Sequence, residues 1–122
     1  MKTTKKDFEL FRAEFRRWQQ GLGLTDFRCT FRHQPADGCF GSIRCDHVGK
    51  CATVVFASNI PDVDRDAYSP IRTARHEALE LLLARLENIA CCRYCFPDDI
   101  SEERHAVIRR LENLFDENAA KP

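Results

Sequence analysis

A short segment in the second half of the chain contains the residue types needed to hold and use a metal ion. It reads His76-Glu77-Ala78-Leu79-Glu80. Residues four apart on an α-helix lie about 40° apart around its axis, so His76 and Glu80 face the same way and could bind one ion. Glu77 is offset from His76 by about 100° and could accept a proton from metal-bound water. Two possible ligands four residues apart, with a carboxylate between them, are typical of metal-dependent hydrolases.

Catalytic metal sites commonly take three protein ligands, and the next helical segment offers two candidates. Glu103 begins an apolar stripe that continues with Val107 and Leu111, which predicts that its carboxylate faces inward. We therefore expect Glu103 to be the third ligand. His105 is the alternative third ligand.

The spacing of apolar residues on the motif helix also predicts which way the side chain of His76 points. His76 shares a helix face with Leu79 and Leu83, so we expect it to be buried with them. Two inward polar groups on consecutive helices are costly to bury without a partner, and a shared ion would satisfy His76 and Glu103 together.

The cysteines offer a rival site. The chain has seven of them, and Cys92-Arg93-Tyr94-Cys95 has the spacing of a zinc-binding pair. A complete structural zinc site would need a second pair of ligands, such as Cys45 and His47. Reduced thiols without a metal are the alternative, because no export signal is evident that would favour disulfides.

Composition limits the other functions. The chain has 122 residues, which fits a single domain over residues 1–122. Nineteen basic residues balance nineteen acidic ones, so we expect no membrane partner and no nucleic-acid partner. No apolar run approaches the ~20 residues of a membrane span, and we expect a cytoplasmic protein.

The hydrophobic pattern predicts an α+β fold. Apolar residues recur at helical spacing near both ends, and three segments between them alternate as strands do. Short turns between these strands favour a three-stranded antiparallel meander with the apolar third strand at its centre. Ser69-Pro70 is typical of a helix start. The predicted elements are a helix at 5–20, strands at 27–33, 39–47 and 51–57, helices at 70–90 and 99–115, and a frayed tail at 116–122.

The motif and the segment from Glu102 to Glu112 together resemble small phage-type zinc metallopeptidases of the HExxH class. The order of helix, three strands, motif helix and second helix is similar to the minimal zincin core of the SprT-like and ImmA/IrrE-like groups. The resemblance implies zinc as the cofactor, a peptide or protein as the substrate, His76 and Glu103 as ligands, and Glu77 as the general base.

The motif departs from that class at one position, because Glu80 stands where the second histidine is expected. Glutamate can bind zinc, but one imidazole with two carboxylates cancels the charge of a divalent ion and weakens its pull on bound water. The added oxygen ligand also favours manganese or another divalent ion over zinc. A catalytically inactive zincin-like binding or regulatory module is therefore the alternative function. A domain with a structural zinc bound by cysteines is a further one.

Overall fold

The structure, a computed structural model, describes residues 1–36 and 38–119. The α+β class is confirmed, and each predicted helix and strand is present within a few residues of its expected bounds. The elements are α1 (Lys5–Gly21), β1 (Arg28–Gln34), β2 (Gly41–Asp46), β3 (Cys51–Ala57), a 3-10 helix (Asp62–Ala67), α2 (Pro70–Cys91) and α3 (Pro97–Ala119).

The helix that contains the motif begins where the sequence predicts. The Ser69 hydroxyl accepts a hydrogen bond from the backbone N–H of Arg72, and Pro70 occupies the first helical position. This cap satisfies one of the free N–H groups at the helix end, and proline has no N–H to leave unsatisfied. The start of α2 is thereby fixed at Pro70.

The predicted antiparallel meander is wrong, because the sheet is mixed. Its strand order is β1-β3-β2, with β1 parallel and β2 antiparallel to β3. The third strand is central, as predicted, but consecutive strands β1 and β2 do not pair. Its apolar sequence lets β3 take two partners, while β1 and β2 alternate between half-buried and exposed residues and lie at the edges.

The connection between β1 and β2 crosses the end of β3 instead of forming a hairpin. The backbone N–H of Ser58 donates to the carbonyl of Gln34, and that of Ala57 donates to the carbonyl of Phe40. The last residues of β3 therefore hold both ends of the connection. The predicted turn at 35–38 lies in this connection, and its Asp37 lies outside the described residues.

The core lies between one face of the sheet and the helices. Phe11 and Phe15 of α1 and Phe56 of β3 are fully buried, and the rings of Phe11 and Phe56 stack at a centroid distance of 4.8 Å. Helix α2 packs against α1, β2 and α3. Val107 of α3 is also buried, as the predicted stripe requires. This packing places the motif helix beside the edge strand β2.

The C-terminal part of α3 extends further than predicted. The helix continues through Ala119, whereas a frayed tail was expected from residue 116. Residues 120–122 of that predicted tail lie outside the described residues. Within residues 1–36 and 38–119, no helix combines the length and the apolar character needed to cross a bilayer.

Strand β2 and the motif helix pack closely together at Gly41. A Cβ atom built at this position would lie 2.9 Å from the carbonyl oxygen of Val55 and 3.0 Å from Cγ2 of Thr73. It would also lie 3.6 Å from Cγ of Glu77. Glycine is therefore required sterically for α2 to pack this closely against the strand.

Replacing this glycine tests the close packing. We expect Gly41→Ala to lower the free energy of unfolding by about 1–3 kcal/mol, because the added methyl group meets backbone and forces a shift. Ser42→Ala is the matched control, since Ser42 is exposed on the next position of the same strand. Urea denaturation of both variants checks the prediction, and equal stability of the two would contradict it.

Candidate metal centre

The motif helix buries a different face from the one expected. His76, Leu79 and Leu83 are exposed, although the sequence predicts that they face inward. The helix has a second apolar stripe at helical spacing, through Ala74, Ala78 and Leu81, and this stripe contacts the rest of the core. The buried residues of α2 are Thr73, Ala74, Glu77, Ala78, Leu81, Leu82 and Ile89.

The three polar residues of the motif nevertheless come together. One ligand atom from each of His76, Glu77 and Glu80 lies within 4.8 Å of the others, and this is the one such group found in residues 1–36 and 38–119. Nε2 of His76 lies 3.5 Å from Oε1 of Glu80, and both side chains are more than half exposed. The group therefore has two accessible members and one buried member, Glu77.

The buried carboxyl of Glu77 has an altered proton affinity. Only 3% of the residue is exposed. Burial, and then the hydrogen bond and charge of Glu80, raise the pKa of Glu77 from its ordinary 4.5 to about 8. Two carboxyl groups can share a hydrogen bond only when one is protonated, so Glu77 carries the proton at neutral pH. Its Oε2 atom is buried and has no hydrogen-bond partner.

Glu77 and His76 open into a cleft of about 240 Å³ between α2 and the start of β2. A second groove of about 580 Å³ lies on the other side of the motif and includes Glu80. The two recesses give a ligand access to all three polar residues. The cleft is lined by Cys39, Phe40, Gly41, Ala67, Arg72, Thr73, His76 and Glu77.

Phe40 and Gly41 line this cleft on the side of β2. The sequence pattern predicts that both lie in a strand of a hairpin and does not identify either as a site residue. A glycine inside an alternating strand pattern is a signal of close backbone approach, and it marks the position where β2 touches the motif helix.

The expected third ligand lies elsewhere in this structure. Oε2 of Glu103 is 3.7 Å from Nε of Arg85, which follows His76 by nine residues on α2. Nine residues of α-helix correspond to about 13.5 Å along the axis, so the structure does not bring Glu103 to the motif. The alternative third ligand, His105, is exposed, and its Nδ1 lies 2.8 Å from the carbonyl oxygen of Ser101.

The cysteines of the rival site also occupy separate regions. All seven are free thiols. Cys92 and Cys95 lie in the turn between α2 and α3, whereas Cys45 and His47 line the second groove beside β2. No group of three cysteine or histidine ligands assembles within the described part of the chain.

No family model, curated protein or solved structure matches this chain. The resemblance to minimal zincins therefore remains a prediction from the motif. The geometry of His76, Glu77 and Glu80 is therefore the basis for assigning a function.

The buried carboxyl predicts how stability changes with pH. In the unfolded chain Glu77 ionises near pH 4.5, whereas in the folded chain it keeps its proton up to about pH 8. Ionisation therefore favours the unfolded state over this interval, and stability falls as the pH rises. Glu77→Gln cannot ionise, so we expect it to remove this loss, on the order of a few kcal/mol between about pH 5 and about pH 8.

Urea denaturation at both ends of this pH interval measures the difference. Glu102→Gln is the control, because Glu102 is exposed on α3. A Glu77→Gln variant with the same pH dependence as the wild type and the control would show that Glu77 ionises normally in the folded chain.

Proposed function

We propose that this protein is a metal-dependent hydrolase that binds one divalent ion at His76 and Glu80. The observation that supports this most directly is the convergence of His76, Glu77 and Glu80 on one point at the opening of a cleft. A peptide or protein is the proposed substrate, on the strength of the resemblance to minimal zincins.

The residues present fit a divalent cation. The proposed ligands are the imidazole of His76 and the carboxylate of Glu80, both ligand types that zinc and manganese accept, and Glu77 lies beside them. The unpartnered Oε2 of Glu77 adds a second argument, since a buried carboxylate oxygen without a donor is costly and a nearby cation would offset that cost. A bound ion would lower the pKa of a coordinated water and polarise a scissile carbonyl.

The protein side of the reaction depends on Glu77. Without a cation this side chain holds a proton up to about pH 8, so it is a poor proton acceptor at neutral pH. A positive charge at His76 and Glu80 favours the ionised form of Glu77 and makes it a competent general base. Glu77 lies beside Gly41 and both line the cleft, where a substrate would be held.

The small number of protein ligands bears on metal identity and affinity. With Glu103 paired to Arg85, the proposal rests on His76 and Glu80 as the fixed ligands and leaves the remaining positions to water and substrate. We expect weaker binding than at a site with three protein ligands. The carboxylate also favours manganese relative to a site with two histidines.

The second candidate is a catalytically inactive module with the same fold. The observation that favours it is the 3.5 Å approach of His76 to Glu80, since a histidine and a glutamate at this spacing stabilise a helix without any metal. In that case the cleft would serve to bind a partner, and the Glu80 substitution would mark a lost catalytic site.

Metal binding separates the two candidates. Calorimetric titration of the chelator-stripped protein with zinc and with manganese should detect one ion per chain. His76→Ala should weaken binding at least about tenfold, the equivalent of about 1.4 kcal/mol. His105→Ala is the matched control, because this histidine is exposed on α3 and we expect its loss to leave the affinity unchanged. Binding that is equal in all three proteins would exclude the motif as the site.

The same titration tests the remaining candidate ligands. Because Glu103 pairs with Arg85 in the structure, we expect Glu103→Ala to bind the metal as the wild type does. A large loss of affinity in this variant would instead make Glu103 the third ligand. Loss of binding in Cys92→Ser or Cys95→Ser, with His76→Ala unaffected, would support the structural zinc alternative.

Hydrolysis is tested with the metal-loaded protein and a set of fluorogenic peptides. We expect Glu77→Gln to lose nearly all activity while it still binds one metal ion at His76 and Glu80, more weakly than the wild type because the nearby negative charge is gone. The variant keeps the shape of the side chain but cannot accept a proton. Glu102→Gln should keep full activity. Tight metal binding at His76 without hydrolysis of any peptide would favour the inactive module.

A further inference from the structure

The turn between α2 and α3 places two cysteines side by side. The backbone N–H of Cys92 donates to the carbonyl of Ile89 and ends α2, residues 93 and 94 form the turn, and α3 begins at Pro97. In a reverse turn the first and fourth Cα atoms lie less than about 7 Å apart. That separation is within the range that a disulfide spans, so Cys92 and Cys95 can be joined without moving either helix.

The two thiols have the asymmetry of an attacking and a resolving cysteine. Cys92 is exposed, and the pKa of its thiol is lowered by a hydrogen bond from the backbone N–H of Tyr94 and then by one from the Cys95 thiol. The pKa of the Cys95 thiol is raised, first by the same contact with Cys92. The nearby Asp99 carboxylate opposes ionisation of both, but the direction at Cys92 remains downward.

The other cysteines lack this arrangement. Cys29 and Cys45 lie on opposite sides of Ala52 in the sheet, half-buried, so a whole strand separates them. Burial raises the pKa of both thiols, that of Cys29 to about 11, which makes them poor nucleophiles. Cys39, Cys51 and Cys91 are exposed but lie on different segments, with Cys91 at the last position of α2 before the turn.

We propose that Cys92 and Cys95 form a reversible dithiol–disulfide couple that exchanges with low-molecular-weight disulfides such as oxidised glutathione. The couple is independent of the metal chemistry proposed above, because it lies at the far end of α2 from His76. Cys92 is the attacking residue and Cys95 the resolving residue.

The exchange balances in two steps. The Cys92 thiolate attacks one sulfur of oxidised glutathione, its S–S bond breaks, and the first glutathione leaves as a thiolate that takes up a proton from solvent. Cys95 then gives its proton to solvent, and its thiolate attacks the Cys92 sulfur of the mixed disulfide. The S–S bond between Cys92 and glutathione breaks, and the second glutathione leaves as a thiolate that takes up a proton. Two electrons pass from the protein to the small disulfide, which is reduced to two molecules of glutathione.

The experiment uses the full chain, reduced and then incubated with oxidised glutathione, followed by alkylation of the remaining thiols and intact mass spectrometry. We expect the wild type to lose two alkylatable thiols without retaining glutathione, and peptide mapping to join Cys92 to Cys95. Reduced glutathione should restore both thiols. A bridge between any other two cysteines, or glutathione that stays on the wild-type protein, would overturn the proposal.

Single substitutions test the order of the steps. Cys95→Ser should accumulate one glutathione on Cys92, because the resolving thiol is absent, whereas Cys92→Ser should react no faster at Cys95 than at Cys39. Cys39→Ser is the matched control and should form the bridge as the wild type does. If Cys92 in the Cys95→Ser variant acquires glutathione no faster than Cys39, Cys92 is not an activated thiol and the proposal fails. Circular dichroism confirms that each variant is folded.

Discussion

The burial of one carboxyl group, that of Glu77, is the constraint on which the site depends. A carboxyl removed from water must be neutral, paired or near a cation, and each of these states has consequences for its neighbours. In this chain it is held between the motif helix and β2, where Gly41 has no side chain to displace it. Packing of α2 against the core through Ala74, Ala78 and Leu81 places position 77, rather than position 76, on the buried face of the helix. Burying this acid beside the cleft lowers the free energy of unfolding as the pH rises from the ordinary pKa of a glutamate to the raised pKa of Glu77.

That arrangement would connect the protonation of Glu77 with the metal binding that we propose. A proton shared by Glu77 and Glu80 places positive charge beside two carboxylates. A cation held by His76 and Glu80 would do the same. The exposed His76 and Glu80 can reach an ion from solvent, and the buried Glu77 responds to it electrostatically. A single helix stabilised only by a contact between His76 and Glu80 would not need a third, buried carboxyl group beside them. This is the physical reason to prefer the hydrolase over the inactive module.

Local chemistry in the sequence predicted the elements well, and the tertiary arrangement less well. The Ser69-Pro70 start, the apolar third strand and the inward stripe at Val107 follow from residues a few positions apart, and the structure contains all three. Strand pairing depends on contacts between residues far apart in the sequence. The short turns favour hairpins, but the apolar β3 lies between β1 and β2 and pairs with both. The expected orientation of the motif helix is wrong because α2 has two apolar stripes, and the sequence pattern does not show which of them faces the core. The buried stripe contains the small residues Ala74 and Ala78, so it is the less conspicuous one in the sequence.

Glu77 is a buried acid, and we propose that its proton competes with a metal ion. The most direct test follows the side-chain carboxyl carbon of Glu77 by NMR during a pH titration, with and without one equivalent of zinc. We expect a pKa of about 8 for the metal-free protein and a clear decrease when the ion is added. An ordinary value near 4.5 that does not respond to the metal would contradict both the buried acid and the site built around it.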